Sequence, residues 1–147
     1  MSFTPSIAEK VWAEVEEVIE WVSGESSQSK TAHEIEGQLW WKMLALGQLL
    51  MQLFFTTQEQ EEVKQKVYES EGDVYPYIGQ RERKYVSIFG AVSVIRAGYW
   101  RKGGGIQFPL DDQLSLPNRS FSDRVQARVS ELSVMVTYEE DVVGEST

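Results

Sequence analysis

The sequence predicts an α+β protein: long N-terminal helices, a small antiparallel β-sheet of about three strands, and a C-terminal helix-turn-helix-like pair. Three observations lead there. Apolar side chains recur every three to four positions through roughly the first half. β-branched and aromatic residues then dominate from Tyr85 to Trp100, with glycine on either side. Helical spacing returns after Ser122. A length of 147 residues with 12% aromatics can bury a core without staples. One unit is expected, helical over 1–70, β over 71–112 and helix-turn-helix-like over 113–147.

The first helix is expected from Pro5 to Val22. Thr4 would cap it, and Ile7, Val11, Trp12, Val15, Val18, Ile19 and Val22 would form its apolar stripe before Gly24 ends it. The polar, serine-rich stretch from Ser23 to Lys30 reads as a connector, and Thr31 with Glu34 reads as a capping box for the second helix. That helix carries Ile35, Leu39, Trp40, Leu44, Leu46, Leu49, Leu50, Leu53 and Phe54 around most of its circumference. Gln38, Lys42, Gln48 and Gln52 line a narrow polar strip. A helix this apolar needs other elements, or a second copy of itself, around it. Packing on the first helix is the reading adopted, with Trp40 and Trp41 as packing residues and a dimer seam as the alternative. The charged stretch from Gln58 to Glu69 is expected to continue the helix into solvent.

Gly72 and Pro76 break the helical pattern ahead of the strands. Val86 and Ile88, then Val92, Val94 and Ile95, flank Gly90, which predicts a hairpin, and Gly103, Gly104 and Gly105 turn the chain again before a strand from Ile106 to Leu110. Farther on, Phe121, Val125, Val129, Leu132 and Val136 build one helical stripe behind a cap at Ser120 or Ser122. Thr137 and Glu140 then open a further short helix carrying Tyr138, Val142 and Val143, closed by Gly144. Two helices joined with almost no loop resemble the first half of a helix-turn-helix.

Composition narrows the chemistry. With no cysteine and one histidine, disulfides and the usual Cys/His zinc sites are excluded. The acidic start, with Glu9, Glu14, Glu16 and Glu17, argues against a secretory signal, and the apolar run from Met43 to Phe55 is too short and interrupted to span a bilayer; a cytoplasmic protein without a membrane partner is expected. The triple glycine lacks the lysine and hydroxyl spacing of a phosphate loop, so it reads as a flexible turn. His33 stands alone in the first turn of a helix and reads as a surface residue. Asp111 and Asp112 are too few for two-metal chemistry and fit a turn or helix-cap role. No cofactor, metal or catalytic residue is assigned.

The net charge of −9 is unevenly distributed. Residues 1–80 hold 14 acidic and 5 basic side chains, residues 81–128 hold 9 basic and 4 acidic, and the last nineteen return to −5. The candidate DNA-binding residues therefore come from the basic segment: Arg96, Arg101, Lys102, Arg119, Arg124 and Arg128. Arg124 and Arg128 lie one helical turn apart with Arg119 just ahead of the cap, a spacing suited to holding a phosphate backbone without reading bases.

Within this segment Phe89-Gly90, Val92, Val94, Arg96, Tyr99, Phe108-Pro109-Leu110-Asp111, Leu114, Leu116-Pro117, Ser122 and Tyr138 follow in order. That series resembles the N-terminal region of bacterial DDE-type insertion-sequence transposases of the ISKra and ISLre kind over about residues 80 to 147. Many relatives carry paired cysteines ahead of the strands. Here Tyr75-Pro76-Tyr77-Ile78-Gly79 has none, so no zinc knuckle is carried over, and the three metal-binding acids of the catalytic fold have no matching positions. The resemblance implies a truncated N-terminal fragment that binds transposon-end DNA, or pairs with a full-length transposase, without catalysis of its own. The alternative is a free-standing helical interaction module that forms a homodimer through residues 35–55.

Overall fold

A computed structural model describes residues 6–130. Helix α1 (Ile7–Ser23) and the one-turn α2 (Glu25–Gln28) lead to the long α3 (Ala32–Glu61). Strands β1 (Val67–Ser70), β2 (Asp73–Ser87), β3 (Gly90–Arg101) and β4 (Gly105–Gln107) follow, then α4 (Pro109–Gln113). A last helix, α5, occupies 123–130 of the described residues. The expected α+β class holds, with four antiparallel strands in the order β1-β2-β3-β4.

Local sequence accounts for most of the boundaries. The cap of α1 is Ser6, two residues after the expected Thr4: its hydroxyl accepts from Glu9 N at 3.2 Å while the Glu9 carboxylate accepts from Ser6 N at 3.3 Å. Thr31 caps α3 by accepting from Glu34 N at 3.2 Å. Gly24 ends α1 as expected, because a Cβ there would press on the Glu20 carbonyl. The expected cap at Ser122 is present, its hydroxyl accepting from Val125 N at 3.1 Å to start α5.

The stretch from Gln58 to Glu69, expected to prolong α3, does so only as far as Glu61. The helix stops at Glu61, and Val67–Ser70 is a strand paired with Asp73 to Pro76. The cause is the turn between them. Glu71 and Gly72 both take positive φ, 51° and 83°, the conformation that closes a two-residue hairpin, and so draw the charged segment into the sheet. The hairpin at Gly90 forms as predicted, with Ser87 paired to Gly90. Pro109 and Leu110 were expected to continue a strand; instead Pro109 begins α4, where its missing N–H and fixed φ cost nothing.

The core lies between α3 and the sheet. Phe55, Val92 and Val94 are buried together, with Met51, Tyr85, Leu114 and Leu116 packed around them, and Tyr75, Ala97 and Tyr99 form a second cluster. Phe55 and Tyr85 meet edge to face at 5.1 Å. Against the expected stripe, Phe121 and Val129 are exposed and Ser122 is buried. The backbone accounts for Phe121 and Ser122. Val86 N donates to Ser120 O at 2.8 Å and Ser122 N donates to Val86 O at 3.0 Å, so the chain is held as an extra short rung beside β2 before α5 starts. The expected Thr4 and Pro5 start, the end of the stripe at Leu132 and Val136, and the closing helix with Thr137, Tyr138, Glu140, Val142, Val143 and Gly144 lie outside the described residues.

Candidate functional site

Six basic side chains were expected to face DNA, and the fold divides them. Arg96 is the correction. It lies within β3 at 6% exposure, its Nε donating to Asp111 Oδ1 at 3.0 Å and its Nη1 to the Arg81 carbonyl at 2.8 Å. The guanidinium rests 3.7 Å from the centroid of the Phe108 ring. A neighbour not singled out in the sequence, Arg83, completes the cluster. Its Nη1 donates to Asp111 Oδ2 at 3.2 Å, and its Nη2 reaches the carbonyls of Pro117 at 2.8 Å and Arg119 at 2.9 Å.

Asp111 thus clamps two arginines of the sheet to α4 and the loop after it. The expected turn or helix-cap role is not what its side chain does: the carboxylate accepts from the two arginines, α4 has no side-chain cap, and Arg96 has no surface left for a phosphate. Removing one partner of such a cluster strands the others in a water-poor site. Among the described residues no three His, Asp or Glu side chains gather as a metal site would require.

The other candidates sit on the surface. Arg101 pairs with Asp73 at 3.1 Å and Arg119 with Asp123 at 2.8 Å, both in exposed positions where ion pairs are worth little. Lys102 is exposed in the turn between β3 and β4, where Gly103 and Gly105 adopt positive φ. Arg124 and Arg128 are exposed one turn apart on α5, which Ser122 anchors to the edge of β2. His33 is exposed, as expected.

A second set of functional contacts was not read from the sequence. The polar strip of α3 lies along the outer edge of β3. Gln48 Nε2 donates to Ala91 O at 2.6 Å, and Gln52 exchanges two hydrogen bonds with the Ser93 backbone at 2.9 and 3.0 Å. Glu59 accepts from Ile95 N at 2.6 Å and Glu62 from Ala97 N at 2.9 Å. Alternate residues of a strand turn their backbone groups to the same edge, and these four side chains meet four successive ones. The lengths agree: fourteen helical steps make about 21 Å and six strand steps about 20 Å. β4 then takes over the same edge from Tyr99 to Arg101. The edge is covered without a further strand, which protects it from pairing with another chain. The legible signal is the spacing of Gln48, Gln52, Glu59 and Glu62 along one helical face.

Trp40 and Trp41, expected as packing residues, are 62% and 71% exposed. They lie on the part of α3 that precedes its contact with the sheet. Among the described residues no helix is long and apolar enough to cross a membrane. No family model, curated protein or solved structure matches the chain.

Proposed function

We propose that the chain serves as the non-cutting N-terminal region of an insertion-sequence transposase, docking onto transposon-end DNA through α5 and the turn at Lys102. One observation supports this reading above the others. Several of the short strings that carry the resemblance bear on one another: Phe108 stacks on Arg96, Arg96 bonds Asp111, and Leu114 and Leu116 pack on the cluster holding Val92 and Val94.

In this reading the Asp111 clamp is the scaffold, and the DNA contacts are Lys102, Arg124 and Arg128, with Arg101 and Arg119 released from their exposed ion pairs. These contacts position a duplex and carry no base recognition. The test is an electrophoretic shift with terminal inverted repeats against scrambled DNA over a range of salt. Replacing Arg124 and Arg128 by alanine is expected to weaken binding and flatten the log–log salt slope by about 1.8, the contribution of two phosphate contacts. Since these contacts read no bases, similar shifts on both DNAs are expected; no shift with either, or binding indifferent to salt, would overturn the reading.

A second reading is favoured by the exposure of Trp40 and Trp41: a helical module that self-associates within residues 35–55. Sedimentation separates the two, since a stable dimer indifferent to DNA supports only the second.

A further inference from the structure

One face of the sheet is covered at one end and open at the other. Near the Gly90 hairpin Val92 and Val94 pack on Phe55 and Leu114, and Arg96 lies against the Phe108 ring. Alternation along β3 puts Gly98 and Trp100 on this same face. Register carries it across all four strands. Val67 pairs with Pro76, Trp100 pairs with Ile106, and the Tyr77–Tyr99 pair sets Pro76 opposite Trp100. Val67, Pro76, Trp100 and Ile106 therefore form one apolar row, with Val74 beside it. Val67, Val74, Trp100 and Ile106 are each between 41% and 48% exposed, whereas the opposite face of the same strands buries Tyr75 and Tyr99. Apolar side chains gathered in this way mark a contact surface, unlike ones scattered singly.

The charges around the row point to its occupant. On this face the strands carry Arg81, Arg83 and Arg96 as cations, and Glu69, opposite Val74, as the acid. Asp111 binds Arg83 and Arg96. Arg81 is exposed, and among the described residues its side chain bonds only the Gln80 carbonyl, at 3.0 Å. Its Nη1 lies 3.4 Å from where a Cβ on Gly79 would stand, and Gly79 pairs with Gly98, two residues from Trp100. Gly79 thus has no side chain to part the guanidinium from the apolar row. Two residues beyond Trp100, Lys102 is exposed in the turn, and the nearby Asp73 is held by Arg101 at 3.1 Å.

We infer that this face binds single-stranded DNA, an unpaired base stacking on the Trp100 indole while the flanking phosphates meet Arg81 and Lys102. This rests on the docking of the Lys102 turn onto transposon ends and names the state of the DNA met there. A duplex presents phosphates and groove edges and keeps the faces of its bases inside the stack. Only an unpaired nucleotide brings a base face to the indole and a phosphate to the guanidinium together. A wholly apolar partner would leave both cations without a counter-charge, and a second copy of the face would bring more cations to them.

Fluorescence anisotropy of a labelled oligothymidine of about fifteen nucleotides, titrated with the full chain beside a blunt terminal-repeat duplex, tests this assignment. Trp100→Val keeps the strand preference and removes the ring. It should raise the dissociation constant for the oligothymidine at least ~5-fold, the lower end of what one stacked base contributes, and leave that for the duplex within about twofold. Trp100→Phe retains a ring and should stay within about threefold of the unsubstituted chain. Arg81→Gln should flatten the log–log salt slope for the oligothymidine by about 0.7, the share of one phosphate on a single strand, which a merely structural role would not move. Because Arg81 is exposed, that variant decides the matter if Trp100→Val does not fold.

No oligothymidine binding, or binding unchanged by both Trp100→Val and Arg81→Gln, overturns the assignment, while a duplex shift that still depends on Arg124 and Arg128 leaves the docking reading in place. Binding of the oligothymidine through Trp100 without any duplex shift overturns the docking reading alone. Tighter binding of an oligouridine of equal length overturns the choice of DNA. A dimer abolished by Trp100→Val, with no oligothymidine bound, gives the face to a second copy instead.

Discussion

The two halves of α3 are equally rich in large apolar side chains and end in opposite circumstances. From Gly47 to Glu61 the helix is bound to the sheet by Phe55 beneath it and by glutamine and glutamate side chains along the edge of β3. From Ala32 to Leu46 the same stripe runs on with no strand among the described residues beneath it, and Trp40 and Trp41 are exposed. The difference teaches that apolar content alone does not make a core. What decides is whether the tertiary fold brings a partner alongside, and the sheet meets α3 only from Gln48 onward.

The strongest way to break this contrast is to shorten a ring in each half. Phe55→Ala, at 2% exposure against Val92 and Val94, is expected to lower unfolding stability by about 3–5 kcal/mol in urea titration. Trp41→Ala, in dilute protein where only monomers are present, should change it by no more than about 0.5 kcal/mol. Similar losses at both sites would show that the first half of α3 is packed after all.

Next in size is the clamp that fixes the loop after α4 to the sheet. Asp111→Ala leaves Arg83 and Arg96 without their shared carboxylate, and a loss of about 3 kcal/mol is expected by thermal or chemical unfolding. A loss within experimental scatter would mean that water enters and solvates the two arginines. The edge contacts come third. Gln52→Leu abandons both backbone groups of Ser93 and should cost about 1–3 kcal/mol, with faster amide exchange at Ser93 than at Val94; uniform exchange along β3 would contradict the edge role.

The finest comparison is between two glycines ten residues apart. Gly47→Ala drives a methyl into the Phe89 ring and is expected to destabilise by about 1–3 kcal/mol. Gly37→Ala meets open space and should stabilise the monomeric helix by up to about 1 kcal/mol, read as a higher unfolding midpoint. Opposite signs at the two sites sharpen the contrast, and a loss at Gly37 would remove it.

How much of this was legible depended on the range of the interaction that decided each feature. The class, the long second helix, the hairpin at Gly90 and the Ser122 cap follow from periodicity or from a residue that bonds within three positions of itself. The strand at Val67–Ser70 was not legible, since its glutamate- and lysine-rich surroundings fit a solvated helix equally well until Glu71 and Gly72 fold it onto Asp73 to Pro76. Arg96 and Arg124 are chemically the same side chain. Only the approach of Asp111 and Phe108, twelve to fifteen residues farther along the chain, sets one inside and leaves the other at the surface.

By itself the sequence determined the long helices and the hairpin at Gly90, because backbone preference and apolar period act over a few neighbouring residues. It also determined which chemistries are excluded, because the absence of cysteine needs no fold to interpret. The tertiary structure alone decided which arginines bear on the surface, which polar residues of α3 replace a missing strand, and which aromatics remain uncovered. Burial and edge pairing depend on what arrives from far along the chain, and no local pattern records that.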